Sequence, residues 1–233
     1  MYQNKKIIAY IPARAGSKRL VHKNKREVAG MPLFMHSVEY AFKSLYIDDV
    51  LVSSDDPEIL KTAHDRGCVV NNLRPPELSN DTARIIDGII YELSLLKQEY
   101  DAVVLLQPTY PVRPPAVVFD EMIGKYFTKE TSLVTVVESL CQPEFIRSVD
   151  PCGKLQKIMK ESTDIRRQDF KKYYRIIGSV YINNAHKIST DTVLNENEIP
   201  FILDQKYALD IDTEKDWQIL ENMIKKINEC FVA

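Results

Sequence analysis

The 233-residue chain has no C-x-x-C pair, no apolar run of membrane length and almost no net charge. Its four cysteines, Cys68, Cys141, Cys152 and Cys230, are scattered. That spacing excludes a zinc ribbon or a disulfide frame and reads as reduced thiols. A formal net charge of -2 supplies no general attraction to nucleic acid or to a membrane surface. The apolar segment near the start, Ile7 to Ile11, is too short for a signal-peptide core or a span, so a soluble, cytoplasmic chain is expected. Two nucleotide loops are also missing. Without G-x-x-x-x-G-K-[ST] the chain is no P-loop NTPase, and without G-x-G-x-x-G a dinucleotide dehydrogenase lacks its signature. What is present is ordinary globular composition, 45% hydrophobic and 27% charged, at a length suited to one domain over 1–233.

Short β-rich runs alternate with helical patterns. Ile7–Ile11, Val50–Val52, Cys68–Val70, Ala102–Leu106 and Leu133–Val137 are predicted strands. Between them, helices are predicted from Pro32 (apolar positions Phe34, Val38, Phe42, Leu45), from Pro57 to Gly67, along Ile86–Leu96 and over about 117–127. Ser179–Ile182 and Tyr207–Ile211 complete the strands, and Thr213–Ile227 is a closing helix. This order predicts an α/β fold: a mainly parallel sheet with helices on both faces, in three layers. Ligands of such sheets lie beyond the carboxyl ends of the strands. Residues of about 138–176 break the pattern and read either as an appendage packing on a second subunit or as an edge hairpin.

Chemistry-bearing residues collect in the loops after the strands. Arg14, Gly16, Ser17, Lys18, Arg19, Lys23 and Asn24 follow the first strand. Exposed N–H groups and cations there suit a triphosphate, although a solvated basic turn has the same composition. Arg74 opens a polar, proline-stiffened stretch in which Asp81 or Thr82 is a candidate helix N-cap. Gln107 stands at the end of an apolar strand, before the turn locked by Pro108 and Pro111. Arg166, Arg167 and Arg175 can grip a carboxylate, or simply pair with Asp164 and Asp169. Asp210 and Asp212, alternating with Ile211 on the last predicted strand, place two carboxylates on one face. Such a pair suits Mg²⁺, whereas Asp212 or Thr213 with Asp216 also fits a helix cap.

Taken in order, I-P-A-R-A-G-S-K-R-L-x-x-K-N, R-P-x-E-L-x-x-D-T, L-Q-P-T-x-P-x-R, R-Q…R-x-x-G-x-x-Y-I and L-D-I-D-T resemble the acylneuraminate cytidylyltransferases, the CMP-sialic acid synthetases. The resemblance spans roughly Ile7 to Asp216. It implies a Rossmann-like nucleotidyltransferase fold, a homodimer formed through the appendage, and transfer of CMP from CTP to the C2 hydroxyl of an acidic nine-carbon sugar. Arg14, Lys18 and Asn24 then meet the CTP phosphates and ribose, with Lys18 and Arg14 countering charge as pyrophosphate leaves. Arg74 belongs to the base pocket; Gln107, Arg167, Arg175 and Tyr181 belong to the sugar; Asp210 and Asp212 hold Mg²⁺. The sequence departs from that pattern at Arg84-Ile85 after Thr82, at Tyr110 in place of serine, at Ile177 before Gly178, and at Cys141-Gln142-Pro143. The Arg84-Ile85 departure falls at the expected base pocket, and the other three fall around the expected sugar site. A CMP-Kdo synthetase, toward which Arg84 hints, and an inactive sugar-binding protein of the same fold are the rival readings.

Overall fold

A computed structural model describes residues 1–17, 19–129, 131–158 and 171–232, with residues 226–232 described by backbone alone. In chain order the elements are β1 (Ile7–Pro12), a two-stranded ribbon β2 (Glu27–Val28) and β3 (Met31–Pro32), α1 (Leu33–Phe42), β4 (Asp49–Ser53), α2 (Pro57–Asp65), α3 (Ile85–Ser94), β5 (Ala102–Leu105), α4 (Ala116–Lys129) and β6 (Leu133–Glu138). There follow a hairpin of β7 (Arg147–Val149) and β8 (Leu155–Lys157), then β9 (Tyr174–Asn184), β10 (Ile199–Leu203) and α5 (Glu214–Val232).

Six strands form one sheet in the order β10-β6-β9-β5-β1-β4. β1 pairs in parallel with β4 and β5, and β10 with β6, while β9 runs antiparallel between β5 and β6. The strand period of two sorts the core. Ile7, Ala9 and Ile11 pack with Phe34 and Val38 of α1, Ile59 and Ala63 of α2, and Phe119 and Met122 of α4. Ile8 and Tyr10 point the other way, against Ile86 and Ile89 of α3. Helices therefore cover both faces, as the alternating pattern predicts. A third cluster, of Leu20, Val28, Leu33, Ile211, Trp217 and Leu220, seats α5 beside the opening loop.

Four local expectations are corrected. Cys68–Val70 is no strand; Val69 makes an isolated parallel bridge to Leu51. Both Phe42, the last residue of α1, and Leu45, which lies beyond the helix, are exposed, and Phe42 instead supports the Arg66 guanidinium 4.8 Å from its ring centroid. Neither Asp81 nor Thr82 caps α3, which begins at Ile85; Asn80 Oδ1 accepts from the Thr82 and Ala83 N–H groups and holds an open turn before it. Finally, residues 208–212 are not a strand. The sixth strand is β10, upstream, and the 208–212 segment is pinned by Ile211 N–H donating to the Thr109 carbonyl.

Candidate active site

The carboxyl ends of β1, β4 and β5 open into a cavity of about 580 Å³. Its floor is fixed by backbone. Ala13 N–H donates to Ser53 O, Ser54 Oγ to Ala13 O, and Ala15 N–H to Asp55 Oδ1, so the end of β4 holds the loop after β1 in place. Asn24, buried, donates from Nδ2 to Arg14 O at 2.8 Å, and its Oδ1 has no partner among the described residues. A Cβ built on Gly16 would meet nothing within 4 Å, which leaves the space beside that loop open. Arg14, Gly16, Ser17, Lys23, Asn24, Arg74, Gln107 and Asp212 all line this cavity. Residues from both ends of the chain thus share one wall. Lys18 lies outside the described residues.

The cations of this wall already carry partners. Arg14 Nη1 lies 3.0 Å from Asp81 Oδ1 across the mouth. The Lys23 ammonium donates to Ile211 O at 2.7 Å and to Asp212 Oδ1 at 2.9 Å, and Arg19 Nη1 reaches Asp212 Oδ2 at 3.4 Å. Arg74 is buried; its backbone N–H donates to Ser54 O and its Nε to Ser79 Oγ at 3.1 Å.

Asp210 sits deeper than Asp212. Burial raises its pKa above the usual carboxylate range; hydrogen bonding from Thr109 opposes that rise, and the nearby Asp212 charge adds to it. Asp210 Oδ1 is buried without a partner among the described residues. Thr213 and Asp216 form the cap of α5: Thr213 N–H donates to Asp216 Oδ2 at 2.7 Å and Asp216 N–H to Thr213 Oγ1 at 3.3 Å. The cap is therefore made without Asp210 or the Asp212 carboxylate, and both acidic groups stay available for other work.

Gln107, Arg84 and Ile85 also line a second cavity of about 620 Å³, with Tyr110, Ile176, Gly178, Tyr181 and the 192–195 loop. Between Val134 and Val136 the β6–β9 register shifts, and Thr135 Oγ1 staples the resulting bulge by donating to Ile177 O and accepting from Val180 N–H at 3.1 Å. The bulge carries Gly178 onto Gln107 and Tyr110. A Cβ there would collide with Gln107 Oε1 and lie 2.9 Å from Tyr110 Cε2, so glycine is required by close approach. Tyr181 forms the opposite wall, its hydroxyl donating to Asn195 Oδ1 at 2.8 Å, and burial pushes its pKa up to about 12. The Tyr110 pKa is raised by burial and by the adjoining Asp210 carboxylate. Arg175 stands exposed on β9 and lines neither cavity. Arg166 and Arg167 lie outside the described residues. Behind Gln107, the half-buried Arg113 donates to the Gln107 carbonyl at 2.7 Å, and desolvation brings its pKa down to about 10.

Residues 8–136 match the protein family described as Cytidylyltransferase. The chain belongs to that family. It is 34% identical over 238 residues to a CMP-N,N'-diacetyllegionaminic acid synthase of Legionella pneumophila, an alignment covering 97% of this chain and 100% of that protein. It is 30% identical over 226 residues to an N-acylneuraminate cytidylyltransferase of Escherichia coli, covering 96% of this chain and 53% of the longer relative. Among solved structures, a CMP:2-keto-3-deoxy-manno-octonic acid synthetase complexed with CTP superposes with a TM-score of 0.71, at 17% identity, over 95% of this chain and 99% of the other. At that identity the likeness speaks for the fold. The α/β nucleotidyltransferase architecture and cytidylyltransferase activity follow from these matches together.

Several site residues were not legible beforehand. Asp81, Ser54 and Asp55 work through the loops they hold, and Thr135 through a bulge. No residue pattern marks Ser54, Asp55 or Thr135, and the motif that contains Asp81 does not show its pairing with Arg14, because each partner comes from a distant segment.

Proposed function

We propose that this cytidylyltransferase transfers CMP from CTP to the anomeric C2 hydroxyl of a nonulosonic acid and releases pyrophosphate. The observation that carries the reading is the convergence of Arg14, Arg19 and Lys23 with Asp212 on one cavity, joined at Gln107 to a second, with Asp210 buried two residues before Asp212. The first cavity takes CTP. Arg14, Gly16, Ser17, Lys18 and Lys23 receive its phosphates, Asn24 Oδ1 accepts from the ribose, and Arg74 borders the base. The second takes the sugar, with Gln107 as a polar contact and Tyr181 as a wall; Arg167 and Arg175 are assigned to the sugar on the family resemblance alone.

The sugar hydroxyl oxygen forms a bond to the α-phosphorus as the bond to the oxygen bridging to the β-phosphate breaks, and the hydroxyl proton is released to water. Lys18 and Arg14 counter the charge that gathers on the departing pyrophosphate. The orphaned Asp210 oxygen and the adjacent Asp212 fit a Mg²⁺ that keeps waters and phosphate oxygens as its remaining ligands. When bound, that ion supplies positive charge to the α-phosphate and makes the attacking hydroxyl more acidic. Asp212 would hold that ion together with Asp210, and its present partners Lys23 and Arg19 line the same cavity as phosphate donors.

The octonic-acid reading rests on a fold-level likeness and on Arg84, and the binding-protein reading leaves the shared wall of cations and carboxylates without a use. The hairpin β7–β8 exposes Val149 and Leu155, which pair across its strands. We assign this apolar face to a second copy of the chain, as the resemblance implies. Mass spectrometry of reactions holding CTP, Mg²⁺ and a panel of sialic, legionaminic, pseudaminic and Kdo sugars tests the reading. A CMP-nonulosonic acid with pyrophosphate is expected. Product from Kdo alone, or from no acid, contradicts it.

A further inference from the structure

The second cavity is nearly bare of charge. Its wall is apolar at Ile86, Ile176 and Leu194, and polar but neutral at Gln107, Thr192 and Asn195. Among the described residues lining it, Arg84 alone carries a formal charge. Arg84 also lines the first cavity, so its side chain stands at the seam where the two meet. An acidic ligand entering the second cavity gives up water around its carboxylate, and that loss is costly without a compensating donor.

The Arg84 guanidinium is held in a fixed plane. Nε and Nη2 donate to the two oxygens of Asp87 at 2.9 and 2.5 Å, and Nη1 donates to the Thr190 carbonyl at 2.9 Å. A guanidinium has five N–H donors, so one remains on each terminal nitrogen. Asp87 belongs to the first turn of α3, and Thr190 to the loop that leads into 192–195. The same side chain therefore ties the loop over the second cavity to the helix bordering the first. The ion pair with Asp87 is solvent-accessible, with Arg84 53% exposed, so screening softens the competing charge.

We infer that Arg84 is the anion anchor of the acceptor cavity, placing the sugar carboxylate with its two spare N–H groups. This rests on the acceptor assignment made above. It makes Arg84 a specificity-determining residue for acids over neutral sugars, at a position where the sequence departs from its family pattern. Gln107, also on the seam, then contacts a different part of the sugar.

The test measures KM for an accepted nonulosonic acid, for its neutral methyl ester and for CTP, in the wild type and in Arg84→Gln. Loss of a hydrogen-bonded charge pair should raise KM for the acid ~10- to 100-fold. The methyl ester and CTP should shift by less than about threefold, so the wild-type preference for acid over ester collapses in the variant. Arg84→Lys, which keeps the charge and loses the fork, should fall between the two, and it carries the same comparison should the glutamine variant not fold. An equal penalty on acid and ester, or a penalty on CTP alone, overturns the inference and leaves the proposed reaction standing. Failure of the wild type to make any CMP-sugar overturns the reaction, and the anchor falls with it.

Discussion

The two halves of the site are built on opposite plans. In the first cavity the described cations are held before any ligand arrives: Arg14 by Asp81, Lys23 and Arg19 by Asp212, and Arg74 by the Ser79 hydroxyl. Among the described residues of the second cavity the wall is neutral except at Arg84, and it is shaped by a bulge and a loop. The contrast teaches where each kind of selectivity resides. A pre-paired, backbone-pinned half offers fixed donors to a triphosphate with little rearrangement. A half made of close contacts, such as Gly178 on Gln107, chooses its ligand by shape.

Perturbations ranked by expected size can break that contrast. Asp212→Asn should lower kcat by ~10³-fold or more with the fold retained, read by steady-state kinetics beside circular dichroism. Activity near wild type at limiting Mg²⁺ removes Asp212 from the metal role. Gly178→Ala drives a methyl into Gln107 and Tyr110. It should cost roughly 1–3 kcal/mol of stability and reduce kcat/KM for the sugar ~100-fold while sparing KM for CTP. Damage to CTP use of the same size would merge the two halves. Gln107→Ala should raise KM for the sugar about tenfold, again with CTP unaffected.

Smaller effects sharpen the nucleotide side. Asp81→Asn removes a carboxylate that competes with phosphate for Arg14, so CTP should bind a few times tighter (about 0.5–1 kcal/mol) by calorimetry. Weaker binding instead makes Asp81 a support of the loop. Asp210→Asn should raise the metal-free Tm at pH 7 by ~2 °C while abolishing turnover. The sign follows from its raised folded-state pKa, through burial first. Between the unfolded and folded pKa values the native chain holds the extra proton, so stability falls as pH rises through that window. The asparagine variant removes that slope; a lower Tm than wild type contradicts it.

Much of the nucleotide side was legible because its donors sit in one short segment, Arg14 to Asn24, directly after an unmistakable buried strand. The acidic pair was expected on a strand that the structure does not form. The apolar alternation of Tyr207–Ile211 mimics a strand, yet Ile211 is held by Thr109 and buries itself against Trp217. The true strand, Ile199–Leu203, contains Pro200. A proline is tolerated there because β10 lies at the edge of the sheet, which only the strand order reveals. The acceptor side was less legible for a physical reason. Its cavity joins α3, β9, the turn after β5 and the 192–195 loop, and no local spacing encodes their meeting. Tyr110 and Arg84 stood out as departures from a pattern, and their geometry gives each a place in that wall.

The account depends on the loop after β1 and the carboxylates before α5 embracing a single nucleotide. Crystals grown with CTP and Mn²⁺, read by anomalous scattering, address this directly. We expect one strong peak touching Asp210, Asp212 and the α-phosphate, with Arg14 and Lys23 turned from their carboxylates onto the triphosphate. Manganese bound elsewhere, or a triphosphate that leaves the Lys23–Asp212 pair intact, contradicts the account.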